Sequence, residues 1–527
     1  MHRPRLAQSI SLVAVMTLAL AILPAPAAAQ NTIQVGCPGA GATTLPNAVA
    51  NANTSGVPDV ITLTPGCRYD LSSTLTILPD GGTLVEIDGH GATIDGGGAV
   101  RPFTVSPGAR LTLRQVTVAH GGPAANDAGG IYNNRGTLRL VNSNVMHSIG
   151  RNGAGIVNRG GTVELVNSNV RYCDATGTGG GIFNNGGRAT LVISDSSTIS
   201  DNTAAVTAGG IANDGGSVTV TASRLSDNNS ESGVGGMFNR DGPATFDDST
   251  VSDNRGRRGG FVNLGDLRIA NGSILTDNHS VESGGAIYND SSLTITDSVV
   301  TDNDSEEAGG GISTTTNFTL TKSRVADNSA PSGGGIFVDG AFHDGGVATV
   351  QIASSIVAHN QAANPRTGTG TFRGGGIFMI DARVTATNST RIAHNVAFGD
   401  GGGIFDGSTD PNIGVTLRLT DTTVSSNRAA GFQGGGITSF GPALIRSSTI
   451  SDNEAAVGGG VANWSGLELN GSTVADNYAS GTGGGIFTGV DMTGISSTIS
   501  DNTAEESGGG IFNHGDVFLR RFRFTDN

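Results

Sequence analysis

Residues 284–328 read GGAIYNDSSLTITDSVVTDNDSEEAGGGISTTTNFTLTKSRVADN, and the stretch carries one pattern twice. Each half opens on glycines and an isoleucine, at Gly284-Gly285-Ala286-Ile287 and at Gly309-Gly310-Gly311-Ile312. An alternating run follows, Leu293-Thr294-Ile295-Thr296 and then Phe318-Thr319-Leu320-Thr321. Asp302-Asn303 and Asp327-Asn328 close the two halves. Alternation of period two with β-branched residues predicts half-buried strands. One unit predicts three of them: around Gly-Gly-Ile, around Leu-Thr-Ile and around the residues before Asp-Asn.

The unit extends over most of the chain. The post-glycine apolar residue recurs at Ile131, Ile156, Ile182, Ile211, Met237, Phe261, Ile287, Ile312, Ile336, Ile377, Ile404, Ile437, Val461, Ile486 and Ile511. The closing Asn keeps the same beat at Asn202, Asn228, Asn254, Asn278, Asn303, Asn328, Asn360, Asn395, Asn427, Asn453, Asn477, Asn502 and Asn527. Propeller blades need about 40 residues, and helical solenoids need helix-forming runs, which are missing. Three strands in about 25 residues fit one coil of a parallel β-helix. The expected fold is therefore all-β, a right-handed parallel β-helix of about fifteen coils. With coils ~4.8 Å apart it makes a rod of roughly 70 Å. The Asn column is expected to bond amide to amide along the stack.

Composition agrees. Glycine supplies 84 of 527 residues and aromatics 5%, too few large side chains for a thick globular core. The formal charge of −15, with Lys322 the only lysine, argues against nucleic acid and anionic membrane as partners. Residues 1–29 read as a signal peptide: Arg3 and Arg5, an apolar stretch Leu12 to Leu23, then Ala27-Ala28-Ala29. That stretch is too short to favour a spanning helix, and no later segment is apolar enough to cross. The chain is thus expected to be exported, with no transmembrane segment in the mature form. Cys37 and Cys67 lie close together, and an exported chain meets oxidants, so one disulfide is expected there. Cys173 remains as a buried small hydrophobe. Residues 30–100 form an N-terminal cap with early irregular coils. There Leu45, Ala48, Val49 and Ala52 fall on one face of a short helix that covers the open first coil. Residues 101–527 carry the regular repeats.

Several motifs resemble known families. Gly284-Gly285-Ala286-Ile287 and Phe524-Thr525-Asp526-Asn527 resemble the GGAI and FxxN repeats of chlamydial polymorphic outer membrane proteins. Thr44-Leu45-Pro46-Asn47-Ala48, with Tyr69-Asp70-Leu71 after it, is similar to the start of bacterial secreted β-helix proteins whose motif reads Cys-Ser-Leu-Arg-Glu-Ala. The Arg-Glu is absent here. The resemblance spans residues 32 to 527 and implies a secreted or surface β-helix with an adhesive role. No autotransporter barrel follows Asn527, and two readings stay open: a rod finished by Phe518, Phe522 and Phe524, or a fragment of a longer chain.

Two sets of residues are candidate sites. Asp precedes ten of the ladder Asn residues, among them Asp201, Asp227, Asp253, Asp277, Asp302 and Asp327. Each either bonds its own turn or shares bridging calcium with its neighbours. Beyond calcium no cofactor is expected. The Asp column gives way to His359, His394 and Ser426 in three consecutive coils, which also carry extra loops at 338–346, 361–373 and 406–414. Insertions on one face of a solenoid often hold its binding site. The expected ligand patch is Asp339, His343, Asp344, Asp381, Asp406 and Asp410, with His359 and His394 stacked at another corner. No catalytic residues are assigned. Gly89-His90-Gly91 reads as a turn, and adjacent Asp247 and Asp248 point to opposite faces of a strand. The leading expectation is a binding scaffold for an extracellular carbohydrate or protein surface. A polysaccharide lyase or glycoside hydrolase, and a purely structural spacer, are the alternatives.

Overall fold

The structure is a computed structural model that describes all residues except 1–29, 39–42, 124, 126, 341–346, 364–371, 409, 411, 412 and 415. The expected signal peptide lies outside the described residues.

One coil shows how the sequence builds the rod. Strands Ile287–Asn289, Leu293–Thr296 and Val299–Thr301 each pair in parallel with the equivalent strand of the next coil. Ile287 faces Ile312, Ile295 faces Leu320, and Val300 faces Val325. All six are fully buried, so alternate side chains fill the interior and like residues stack on like. The glycines before the isoleucine are sterically required. Gly309 adopts φ +64°, and a Cβ on Gly311 would lie 2.8 Å from the carbonyl oxygen of Gly335 in the next coil.

The architecture is the expected right-handed parallel β-helix, with two differences. It has about eighteen turns rather than fifteen, because residues 31–119 already wind as regular strands without the glycine signature. Each regular coil also carries a fourth strand of two or a few residues after the ladder position, such as Thr203–Ala204, in a separate 14-stranded sheet. Two residues are too few to display alternation.

Polar columns run inside the rod. Asn303 donates from Nδ2 to Asn328 Oδ1 at 3.0 Å and to the carbonyls of Leu275 and Thr301 at 3.0 and 2.8 Å. Its backbone N–H also donates to Asn328 Oδ1. The pattern holds from Asn202 to Asn527. A second ladder, absent from the sequence expectations, joins Asn133, Asn158, Asn184, Asn213, Asn239, Asn263 and Asn289 by the same amide bonds. Buried amides are tolerated because each is hydrogen-bonded.

At the N-terminal end a helix spans Leu45–Ala52, with Thr44 as its N-cap and Leu45, Ala48, Val49 and Ala52 buried against the first turns. Cys37 and Cys67 are disulfide-bonded, their Cα atoms 5.8 Å apart. Cys173 is buried, and desolvation pushes its thiol up to about 12, so it is inert packing.

Candidate functional site

The outward residues of the strands make the surface, and one groove stands out on it. Its volume is about 890 Å³, and it runs across three successive coils beside Leu293–Thr296, Phe318–Thr321 and Thr349–Ala353. Thr294, Thr319 and Gln351 are register partners that point out of the sheet and line its floor. The corner residues Asp290, Ser291, Ser292, Thr316 and Asn317 form the wall. Cross-coil bonds hold that wall. Thr316 Oγ1 donates to the Ser291 carbonyl at 2.6 Å, the Thr349 N–H donates to Asn317 Oδ1 at 2.8 Å, and Thr315 Oγ1 donates to Asp290. Asp290 is the only ionisable side chain among the described lining residues. Residues 341–346, from the first predicted insertion, lie outside the described residues.

The predicted ligand patch is only partly assembled. Asp339 is register partner of Ile380, which Asp381 follows, and the Asp410 N–H donates to Asp381 Oδ1 at 3.4 Å. Those three aspartates therefore share one corner over successive coils. His343 and Asp344 lie outside the described residues. Asp406 does not belong to a surface patch: it is fully buried, pointing into the coil. Its carboxylate accepts from Thr416 Oγ1 at 2.5 Å, Ser439 Oγ at 2.9 Å and the Ser408 N–H at 3.0 Å. Burial raises its pKa above the usual carboxylate value, and those hydrogen bonds oppose the rise. His359 and His394 stack at a different corner, ring centroids 4.9 Å apart. Burial first, then the neighbouring His359 and Arg391, hold His394 below the usual imidazole value.

The aspartate column occupies a turn position. Asp201, Asp227, Asp253, Asp277, Asp302 and Asp327 all have φ between 55° and 58°, as do His359, His394 and Ser426 in their coils. Asp201, Asp277 and Asp302 accept from the hydroxyls of Ser200, Thr276 and Thr301 at 2.7–2.8 Å. Asp253 and Asp327 face Arg224 and Arg324. No group of three or more His, Cys, Asp or Glu is arranged to hold a metal ion among the described residues. Asp247 accepts from Asn271 while Asp248 turns the chain at φ 47°, so the two do not converge as a pair. His90 does not sit in a turn between elements: at φ 48° it lies at the irregularity between Asp88 and Ala92 within the strand Leu84–Asp95.

Two further features escaped sequence reading. Phe337, Phe378, Phe405, Phe440, Trp464, Phe487 and Phe512 form one column, with centroid spacings of 5.0–6.3 Å. Because Phe378, Phe405 and Phe487 are buried and the rings largely cover one another, the column stiffens the C-terminal coils. In the first coils His120, His147 and Tyr172 stack at the corner that Asp occupies later. The buried Asp95 holds His120 Nδ1 at 2.7 Å and Arg68 Nη2 at 3.1 Å.

No family model and no curated protein matches the sequence. Among solved structures the chain is similar to the crystal structure of pectate lyase Pel9A, at 14% identity and a TM-score of 0.23, over 68% of this chain and 77% of that one.

Proposed function

We propose that this protein is an exported β-helix scaffold whose groove over Thr294, Thr319 and Gln351 binds an extracellular carbohydrate. The observation that carries the reading is the groove's lining. Hydroxyls and amides both donate and accept, which matches a sugar that presents many hydroxyls and little charge. Glycoside hydrolysis calls for a flanking carboxylate pair, and Asp290 is alone among the described lining residues. That favours binding over turnover. The signal-like composition of residues 1–29 and the Cys37–Cys67 pair support export.

A glycan array probed with the mature chain, followed by calorimetry on the best hit, tests the proposal. Thr319→Arg places a long side chain on the groove floor without touching the core. It is expected to weaken binding at least tenfold, about 1.4 kcal/mol. Gln351→Arg, at the register partner of Thr319, is expected to weaken binding likewise while the β-sheet signal persists. Unchanged affinity in both variants would remove the groove from the account. Release of reducing or unsaturated ends would favour the lyase or hydrolase alternative, and silence on every glycan the spacer.

A further inference from the structure

In a chain of net charge −15, Arg255, Arg257 and Arg258 fall within four residues. The last two rim a cleft of about 370 Å³ at the opening ends of the Gly-Gly-Ile strands, separate from the carbohydrate groove. Its floor is apolar. Val234 is buried with Ala208 and Ala212, and Phe238 and Val262 pack against them. Val206 stands at the rim 53% exposed, an apolar side chain left facing water.

The polar side is positioned in advance. Arg258 lies over the Tyr288 ring at 3.7 Å and donates from Nη1 to the Ser283 carbonyl at 3.3 Å. Its Nη2 meets Glu282 Oε2 at 3.0 Å, while Arg257 Nη2 donates to Glu282 Oε1. Two guanidiniums thus share one carboxylate. Each guanidinium has five N–H donors, and the Arg257 side chain is 57% exposed, so donors and one positive charge remain for a ligand.

We propose that this cleft binds a small carboxylate with a flat apolar body. The body lies on Val234, Phe238 and Val262, and the carboxylate takes the open edge of Arg257. The volume suits one ring with a short chain, not an oligosaccharide. The site does not depend on the carbohydrate reading, since Thr319→Arg leaves it intact.

The test is titration of the full chain with 3-phenylpropionate and, in parallel, with its neutral amide, followed by calorimetry. The carboxylate is expected to bind saturably and the amide at least tenfold more weakly. Arg257→Gln, at an exposed position, is expected to lose about tenfold in affinity with its melting midpoint unchanged, the worth of one charge-assisted bond. Glu282→Gln removes the internal competitor and is expected to tighten binding. Should that variant disturb Arg258, the amide and Arg257→Gln decide alone. Equal binding of acid and amide, no saturable binding at millimolar acid, or full affinity in Arg257→Gln would overturn the proposal.

Discussion

At Asp302 the backbone turns through φ 55°, a region where a β-carbon is crowded and from which Asp and Asn suffer least. The carboxylate then accepts from Thr301 next door. Asp302→Gly is therefore expected to hold or raise stability, and Asp302→Ala to lower it by about 1 kcal/mol, read as urea midpoints. Since Asp201, Asp253, Asp277, Asp302 and Asp327 are served by neighbouring hydroxyls or arginines, calcium and a chelator are expected to give the same melting midpoint. A rise with calcium would restore the bridging reading. Asp406 differs, being buried with a raised pKa. Between the ordinary carboxylate value and the raised one, the folded chain holds more protons than the unfolded chain. Stability contributed by this group is thus fully present below the ordinary value and falls as pH rises through the folded one. Subtracting the unfolding free energy of Asp406→Asn from that of the parent chain at each pH should give a difference declining in that window. A flat difference would mean the carboxylate titrates as it does in water.

The elements owe their register to side chains that cannot be satisfied anywhere else. Asn303 Nδ2 bonds Asn328 Oδ1 and two carbonyls, while its own Oδ1 accepts from both the backbone and the side chain of Asn278. Asn303→Ala orphans several buried groups at once and is expected to cost about 2–4 kcal/mol in chemical unfolding. A loss below 1 kcal/mol would show that water replaces the amide. This ladder was legible in the sequence because Asn closes every coil from Asn202 to Asn527 at the same place after an apolar residue. The second ladder carries an equally plain signal, Asn two residues beyond the post-glycine apolar residue. It fades where Thr314, Val338, Met379, Asp406 and Ser439 take the position in later coils. The aromatic column had no single spacing to find. Phe337, Phe378 and Phe405 follow the isoleucine directly, whereas Phe440 and Trp464 come from beyond the strand. The groove was illegible for a different reason: its floor residues are ordinary outward threonines, and only the bonded corners around Asp290 and Asn317 make them a concavity.

For the whole molecule, stacking implies that each coil depends mainly on its two neighbours, so stability is close to a sum along one dimension. Removing residues 461–485 excises one complete coil and joins Gly460 to Ile486. Ile437 then meets Ile486, Ile450 meets Ile499, and Asn453 meets Asn502, each a like pair in the same register as before. The shortened rod is expected to keep its β-sheet circular dichroism, lose no more than a few degrees of melting midpoint, and bind carbohydrate as before, since the groove lies several coils away. Removing 461–472 instead brings half a coil out of phase, sets strands against corners, and is expected to abolish the cooperative transition of the C-terminal coils. If both deletions unfold the entire chain alike, neighbour coupling does not describe this rod, and stability is held by the ends. The capping helix Leu45–Ala52 would then be the place to look.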